Sequence, residues 1–188
     1  MKAKDALQRL QDGNKRFVSD KLDGKLNNSE RRNALTGGQS PYAIILSCAD
    51  SRVVPELAFD TGLGEIFVVR VAGNVANTES IASIEYAVAH LGTKLIMVLG
   101  HESCGAVAAA IAGGDNGNNL NLLLAQINPA IELAGEKATI NTVVRKNAEF
   151  VAYELTVRSS IIADAANNKE LEIVSAYYNL DSGKVDLL

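Results

Sequence analysis

The stretch "EIFVVRVAGNVANTESIASIEYAVAHLGTKLIMVLGH", from Glu65 to His101, decides the fold. Its two ends are apolar runs without polar alternation, which is typical of strands buried on both faces of a parallel sheet. Between them, Thr78 is a candidate helix cap, Gly92 a candidate stop, and apolar residues recur at helical spacing. Strand, helix and strand in this order indicate a right-handed crossover, so the two strands are predicted to lie parallel in one α/β sheet.

The flanking segments extend this pattern. "YAIILSC", from Tyr42 to Cys48, is another apolar run of the buried-strand type. The last segment, "LEIVSAYYNLDSGKVDLL", reads as a strand that turns back at "DSG". Helical patterns over 120–134 and 141–165 supply cover for the sheet. The sequence therefore predicts an α/β fold, a mostly parallel β-sheet core with flanking helices and a C-terminal edge strand.

The N-terminal segment predicts an amphipathic helix from Ala3 to Val18, because its apolar residues recur at near-helical spacing with charges between them. Residues 20–40 are polar and contain several glycines, so they are interpreted as a connecting arm. A length of 188 residues fits one domain. We expect a single domain over 1–188, with an N-terminal helical arm over 1–40 and an α/β core over 41–188.

Charge and hydropathy exclude several classes of partner. The net charge of −4 leaves no basic field to grip phosphate backbones, which argues against nucleic acid. No uncharged apolar run reaches the roughly 18 residues of a membrane span, and the N-terminus lacks the pattern of a signal peptide. We therefore predict a cytoplasmic protein without a membrane partner. In that compartment the two cysteines favour thiols, metal ligands or nucleophiles over a disulfide.

Both cysteines and one of the two histidines fall into two short clusters, "ILSCADSR" at 45–52 and "VLGHESCG" at 98–105. Each cluster follows a predicted parallel strand, at the edge of the sheet where ligands of α/β proteins bind. Cys48, His101 and Cys104 offer two sulfurs and a nitrogen, which suits tetrahedral zinc. Asp50 is either the fourth ligand or leaves that position to water. Taken singly, Cys48 also fits a small core residue and Arg52 a surface ion pair.

The two clusters, C-A-D-S-R from Cys48 and H-E-S-C-G from His101, resemble those of the β-class carbonic anhydrases. The resemblance extends through "VVRVAGNVAN" and "SIEYAVAHLG", and more loosely to "ALQRLQDGNKRF" and "YYNLDSGKV", so it covers nearly the whole chain. It implies a parallel sheet with an extra edge strand and an N-terminal helical arm that embraces a neighbouring subunit. It also implies self-association as a homodimer or a dimer of dimers, a homotetramer.

The resemblance also implies a reaction, the reversible zinc-dependent hydration of carbon dioxide to bicarbonate and a proton. Cys48, His101 and Cys104 would bind Zn²⁺, and zinc-bound hydroxide would attack the substrate. Asp50 and Arg52 would form the family's catalytic pair: Asp50 orients the hydroxide, and the fork of Arg52 holds the carboxylate off the metal. Whether Asp50 also ligates zinc in a closed resting state stays open.

Further pocket positions follow from the same resemblance. Gln39, Phe67, Tyr86 and Gly105 match substrate-binding positions of the family, although Phe67 and Tyr86 fit ordinary core packing equally well. Arg70 matches a basic position of an allosteric bicarbonate site found in another branch. That site is built partly on a tryptophan, and this chain has none.

Two alternative functions remain at this point. The same zinc site could hydrolyse a linear sulfur analogue, COS or CS2, and the motif does not separate these substrates from CO2. A non-catalytic zinc-binding relative or small-molecule sensor is disfavoured, because a structural zinc site needs four closed ligands and no poised arginine. The nucleotide-binding motifs G-x-x-x-x-G-K-[ST] and G-x-G-x-x-G after a strand do not occur.

Overall fold

The computed structural model describes residues 1–24 and 26–188, and the strands in them form one five-stranded sheet. The strands are β1 (Ala43–Ser47), β2 (Ile66–Arg70), β3 (Leu95–His101), β4 (Glu172–Tyr178) and β5 (Val185–Leu187). Their spatial order is β2-β1-β3-β4-β5. β1 pairs parallel with β2 and β3, and β3 pairs parallel with β4, whereas β5 runs antiparallel at the edge. The predicted α/β class and the C-terminal edge strand are confirmed.

Helices cover the sheet on both faces. They are α1 (Ala3–Val18), α2 (Ser29–Ala34), α3 (Pro55–Ala58), α4 (Thr78–Leu91), α5 (Gly105–Ala112), α6 (Asn118–Ala125), α7 (Asn128–Ala134), α8 (Ile140–Arg158) and α9 (Ser160–Asn167). A short 3-10 turn, Ala72–Asn74, follows β2. None of these described helices is long and apolar enough to cross a membrane.

Of the two predicted ends of α4, the C-terminal end is confirmed and the N-terminal cap is shifted by one residue. Gly92 ends the helix with φ of 65°, as predicted. The predicted cap Thr78 is wrong by one residue: Asn77 is the cap, and its side chain accepts the Ser80 N–H at 2.9 Å. An asparagine and a threonine in succession both suit a cap, so the pattern alone did not separate them.

The two longer helical patterns are each divided in the structure. The pattern over 120–134 becomes α6 and α7, and Pro129 lies in the first turn of α7, where its missing N–H costs nothing. The pattern over 141–165 becomes α8 and α9, because Ser159 has an extended backbone and its hydroxyl caps α9. The short helices α2 and α3 were not predicted.

The core lies on both faces of the sheet, which explains the uninterrupted apolar runs of β1 and β3. Successive side chains of a strand point to opposite faces. Thus Ile45 and Met97 pack on the face covered by α1, while Ile44 and Ile96 pack on the face covered by α4, α8 and α9. Because both faces are buried, a polar alternation in these strands would leave unpaired polar groups in the core.

The predicted helix over Ala3 to Val18 is confirmed, and α1 packs on the sheet of its own chain. Leu10 is fully buried there, and Gly13 approaches the loop after α3 so closely that a Cβ would lie 1.8 Å from the Phe59 carbonyl oxygen. Buried Asn14 donates from Nδ2 to the Ala58 and Gly183 carbonyls and accepts the Val185 N–H. The helix is therefore part of the core of this chain.

Candidate metal centre

The ends of β1 and β3 bring the two sequence clusters together. Ser47, the last residue of β1, pairs with Leu99 of β3, so Cys48 leaves the sheet beside the last residues of β3. His101 is the final residue of β3, and Cys104 lies three residues later, immediately before the first residue of α5. Since parallel strands end at the same edge, the predicted meeting of the two clusters is confirmed.

Three ligand-type side chains converge at this edge. The ligand atoms of Cys48, His101 and Cys104 all lie within 4.8 Å of one another, and all three residues are buried. The two sulfur atoms are 4.0 Å apart. Tetrahedral zinc with Zn–S bonds of about 2.3 Å requires sulfurs about 3.8 Å apart, so the observed spacing fits a metal ion of this size.

The His101 ring is oriented so that one of its nitrogen atoms is available to bind a metal ion. Its Nδ1 lies 2.8 Å from the Glu102 carbonyl oxygen, which can only accept, so Nδ1 carries the proton and donates it. The lone pair of the neutral ring is therefore on Nε2. This atom is buried, and it has no hydrogen-bond partner among the described residues. A backbone-anchored imidazole with a free buried nitrogen is typical of a metal ligand.

The pKa values of the two thiols differ because the thiols are hydrogen-bonded to each other. The hydrogen bond from Cys104 is the main influence that lowers the pKa of Cys48, to about 4, and the Gly73 N–H adds a second bond to the Cys48 sulfur at 3.2 Å. The pKa of Cys104 is raised, first by its hydrogen bond to Cys48 and then by burial. One thiolate is thus favoured, and holding both thiols ionised requires a cation between them.

Asp50 and Arg52 form a forked ion pair at the mouth of this cluster. Arg52 donates from Nε to Oδ1 at 2.9 Å and from its terminal nitrogen to Oδ2 at 2.7 Å, and its backbone N–H also donates to Oδ1 at 2.9 Å. The side-chain bonds from Arg52 lower the pKa of Asp50. Oδ2 is 3.8 Å from His101 Nε2, so the carboxylate faces the ligand cluster while its oxygens are engaged by arginine.

Arg70, at the end of β2, ties down the loop that carries this pair. Its guanidinium donates to the carbonyl oxygens of Cys48 at 3.1 Å, Asp50 at 2.7 Å and Val53 at 3.0 Å. The family resemblance matched Arg70 to a basic position of an allosteric bicarbonate site, which the absence of tryptophan from the chain put in doubt. In the structure this guanidinium binds backbone carbonyls.

The remaining predicted pocket residues lie in different places. Gly105 is the first residue of α5, directly after Cys104. Gln39 is exposed in the segment before β1. Phe67 packs against the core face that contains Ile44. Tyr86 is half exposed on α4, with its ring centroid 5.1 Å from that of His90.

Two contacts of the site were missed by sequence reasoning. Gly73 of the 3-10 turn contacts the Cys48 sulfur, and Asn147 of α8 contacts Gly73. The only signal for Gly73 was the glycine–asparagine pair at 73–74, soon after the end of β2, which favours a left-handed turn. Asn147 gave no signal, because an asparagine within a long helical pattern is read as a solvent-facing residue.

Comparison with known proteins places this geometry in a family. A family model described as carbonic anhydrase matches residues 43–185. The carbonic anhydrase of Mycolicibacterium smegmatis is 40% identical over 189 residues, covering 97% of this chain and 91% of that protein. Carbonic anhydrase 2 of Mycobacterium tuberculosis is 40% identical over 190 residues, with the same coverage of both proteins.

Solved structures show the same similarity. A Coccomyxa β-carbonic anhydrase in complex with acetazolamide superimposes with a TM-score of 0.79 at 25% identity, covering 97% of this chain and 86% of that one. A tetrameric β-carbonic anhydrase of the ascomycete Sordaria macrospora gives a TM-score of 0.76 at 25% identity, covering 98% and 97%.

Proposed function

This chain belongs to the β-carbonic anhydrase family, and we propose that Cys48, His101 and Cys104 bind the zinc ion with which it hydrates carbon dioxide. The protein is a carbonic anhydrase, which interconverts CO2 with bicarbonate and a proton. One observation carries the metal assignment: the buried Nε2 of His101 has no partner among the described residues, and two buried sulfurs lie close to it. A zinc ion held there would lower the pKa of a coordinated water and supply hydroxide near neutral pH.

The chain's own residues complete the reaction. Asp50 Oδ2 lies on the side of the ligand cluster, where the carboxylate can accept the hydrogen bond of the nucleophile and direct its lone pair toward CO2. For this role the carboxylate must stay ionised. Its lowered pKa, caused first by the side-chain bonds from Arg52, keeps it so throughout the neutral range.

The role of Arg52 is to hold the carboxylate of Asp50 away from the metal position. A carboxylate this close to a metal site is itself a possible fourth ligand, and in that position it would exclude the nucleophile. The planar fork of Arg52 occupies both oxygens and does not lose its charge near neutrality. Arg52 therefore keeps the fourth position open while Asp50 orients the nucleophile.

Metal analysis and stopped-flow hydration test this function together. Purified protein should carry about one zinc per chain and hydrate CO2. Retention of stoichiometric zinc by Cys48→Ala, His101→Ala and Cys104→Ala alike would refute the metal site. COS and CS2 should be tried in parallel, since faster turnover of either would redirect the proposal to a sulfur analogue.

We also propose that the chain acts as one domain over 1–188 and self-associates. Large apolar side chains on α4, α8 and α9 are exposed in the single chain, namely Tyr86, Tyr153, Val157 and Ile161. A second copy that packs on these helices would bury them. Sedimentation of the full chain tests this: a monomer at micromolar concentration would contradict it. A cytoplasmic location stays a prediction.

A further inference from the structure

The 3-10 turn after β2 presents a backbone N–H to a metal ligand. Gly73 donates to the Cys48 sulfur at 3.2 Å, and its φ is 68°, in the left-handed region that favours glycine. A Cβ at this position would lie 2.9 Å from Ile127 Cδ1 and 3.3 Å from the Ala106 Cβ. The contact between this turn and the sulfur therefore requires a glycine in one particular conformation.

The same glycine is held from its other side by a buried amide. Asn147 of α8 is fully buried, and its Nδ2 donates to the Gly73 carbonyl oxygen at 2.8 Å. The turn is also closed by the Asn74 N–H, which donates to the Val71 carbonyl oxygen at 2.8 Å. The carbonyl side of Gly73 is thus fixed by a side chain, while its amide side meets the sulfur of Cys48.

Packing alone does not account for an asparagine here. The Oδ1 of Asn147 is buried and has no hydrogen-bond partner among the described residues. A buried polar atom without a partner lowers stability, and an apolar side chain of the same shape would avoid that cost. The feature that an apolar side chain would lose is the bond from Nδ2 to Gly73.

We propose that Asn147 is a positioning residue of the metal centre, which holds Gly73 so that its N–H stays directed at the Cys48 sulfur. This inference rests on the proposed function, since it concerns zinc bound at Cys48. An N–H donor draws electron density from a thiolate sulfur, so Cys48 neutralises less of the charge of a bound metal ion. The bond thereby tunes the metal centre of an enzyme whose two thiolate ligands would otherwise offset most of that charge.

NMR of cadmium-substituted, nitrogen-labelled protein tests the contact itself. Wild type should show a scalar coupling between the Gly73 amide proton and cadmium, transmitted through the N–H···S bond. Its absence in a protein that has bound cadmium would overturn the proposal, whatever the variants do.

Two variants then test Asn147. Asn147→Leu keeps the size and removes the donor, and Asn147→Ser is a milder change in case the first does not fold. Both should lose the Gly73 coupling. Both should also bind zinc roughly tenfold or more weakly in competition with a chelator, the range for removal of an outer-shell partner, because the Cys48 sulfur loses the donor that holds it in position and stabilises its negative charge. Unchanged coupling and unchanged zinc affinity in a folded variant would refute the role of Asn147.

A matched control separates positioning from general stability. Val151 is also buried on α8, one turn further on, and packs in the core face that contains Ile44. Val151→Ala should lower the melting temperature and leave both the coupling and the zinc affinity unchanged. If wild type bound no zinc or did not hydrate CO2, the proposed function would fail. If wild type does both and Asn147 variants match it, only this inference fails.

Discussion

Removing the side chain of Arg52 gives the sharpest test of how the Asp50–Arg52 pair works. Arg52→Ala eliminates the side-chain bonds to both carboxylate oxygens, at 2.9 and 2.7 Å, and of the bonds found among the described residues it leaves the backbone N–H bond to Oδ1. Oδ2 is then free, and it already lies 3.8 Å from His101 Nε2. Asp50 would then be near enough to act as the fourth ligand of a metal ion, if His101 and the two thiolates hold one as proposed.

The expected result is retention of zinc with loss of turnover. A carboxylate in the fourth position replaces the nucleophile and adds a ligand, so metal content should stay near the wild-type value. The CO2 hydration rate should fall at least about a hundredfold, the lower end of what a positioned acid or base contributes. Part of the rate should return as the pH rises, because hydroxide competes with the carboxylate better than water does.

Stopped-flow hydration together with metal analysis measures both quantities. Arg52→Lys is the informative companion, since it keeps the charge but loses the planar fork, and we expect it to stay well below wild type. Lys146→Ala removes another surface ion pair, at 2.7 Å from Glu149, and should leave the rate unchanged. Wild-type turnover in Arg52→Ala would refute the holding role, even if the zinc ligands are right.

Three further outcomes follow from the structure. Cys104→Ser should release zinc by metal analysis, because the hydroxyl is a poor substitute for a thiolate, and full retention would contradict the ligand assignment. Gly13→Ala should lower the free energy of unfolding by about 1–3 kcal/mol or more in urea titrations, since its Cβ would overlap a backbone carbonyl oxygen, whereas Gly37→Ala, which meets nothing within 4 Å, should be neutral. Burial raises the pKa of Asp60, but bonds such as that from Arg16 outweigh it and set the pKa below 3.8. The ionised Asp60 therefore stabilises the fold at pH values above its unfolded pKa. Asp60→Asn should lower the free energy of unfolding by its full amount at pH 7, and this loss should shrink as the pH falls below about 3.8. An equal loss at pH 7 and pH 2 would contradict this.

The spacing of apolar residues along one segment was sufficient to predict the strands and the N-terminal helix. The uninterrupted apolar runs that became β1 and β3 predicted strands buried on both faces, and these predictions are confirmed. The same prediction is wrong for β2, which lies at the edge of the sheet and is only partly buried. The amphipathic spacing predicted α1 over its observed range. The grouping of Cys48, His101 and Cys104 could also be predicted from the sequence, because parallel strands that end at one edge of a sheet bring the residues after them together. The ion pair between Asp50 and Arg52 could be predicted in the same way, because the two residues are only two positions apart in the chain.

The tertiary structure decided the contacts between distant segments. Pro129 and Ser159 divided two helical patterns, and α1 docked on its own sheet through the close approach at Gly13. Asn147 is 74 residues from Gly73, and nothing in its own helix distinguishes it from a solvent-facing asparagine. A sequence pattern records which face of a helix is apolar, because that depends on spacing along one segment. Which carbonyl group a buried amide meets depends on how two packed backbones approach each other, and that distance is set only when the whole core has formed.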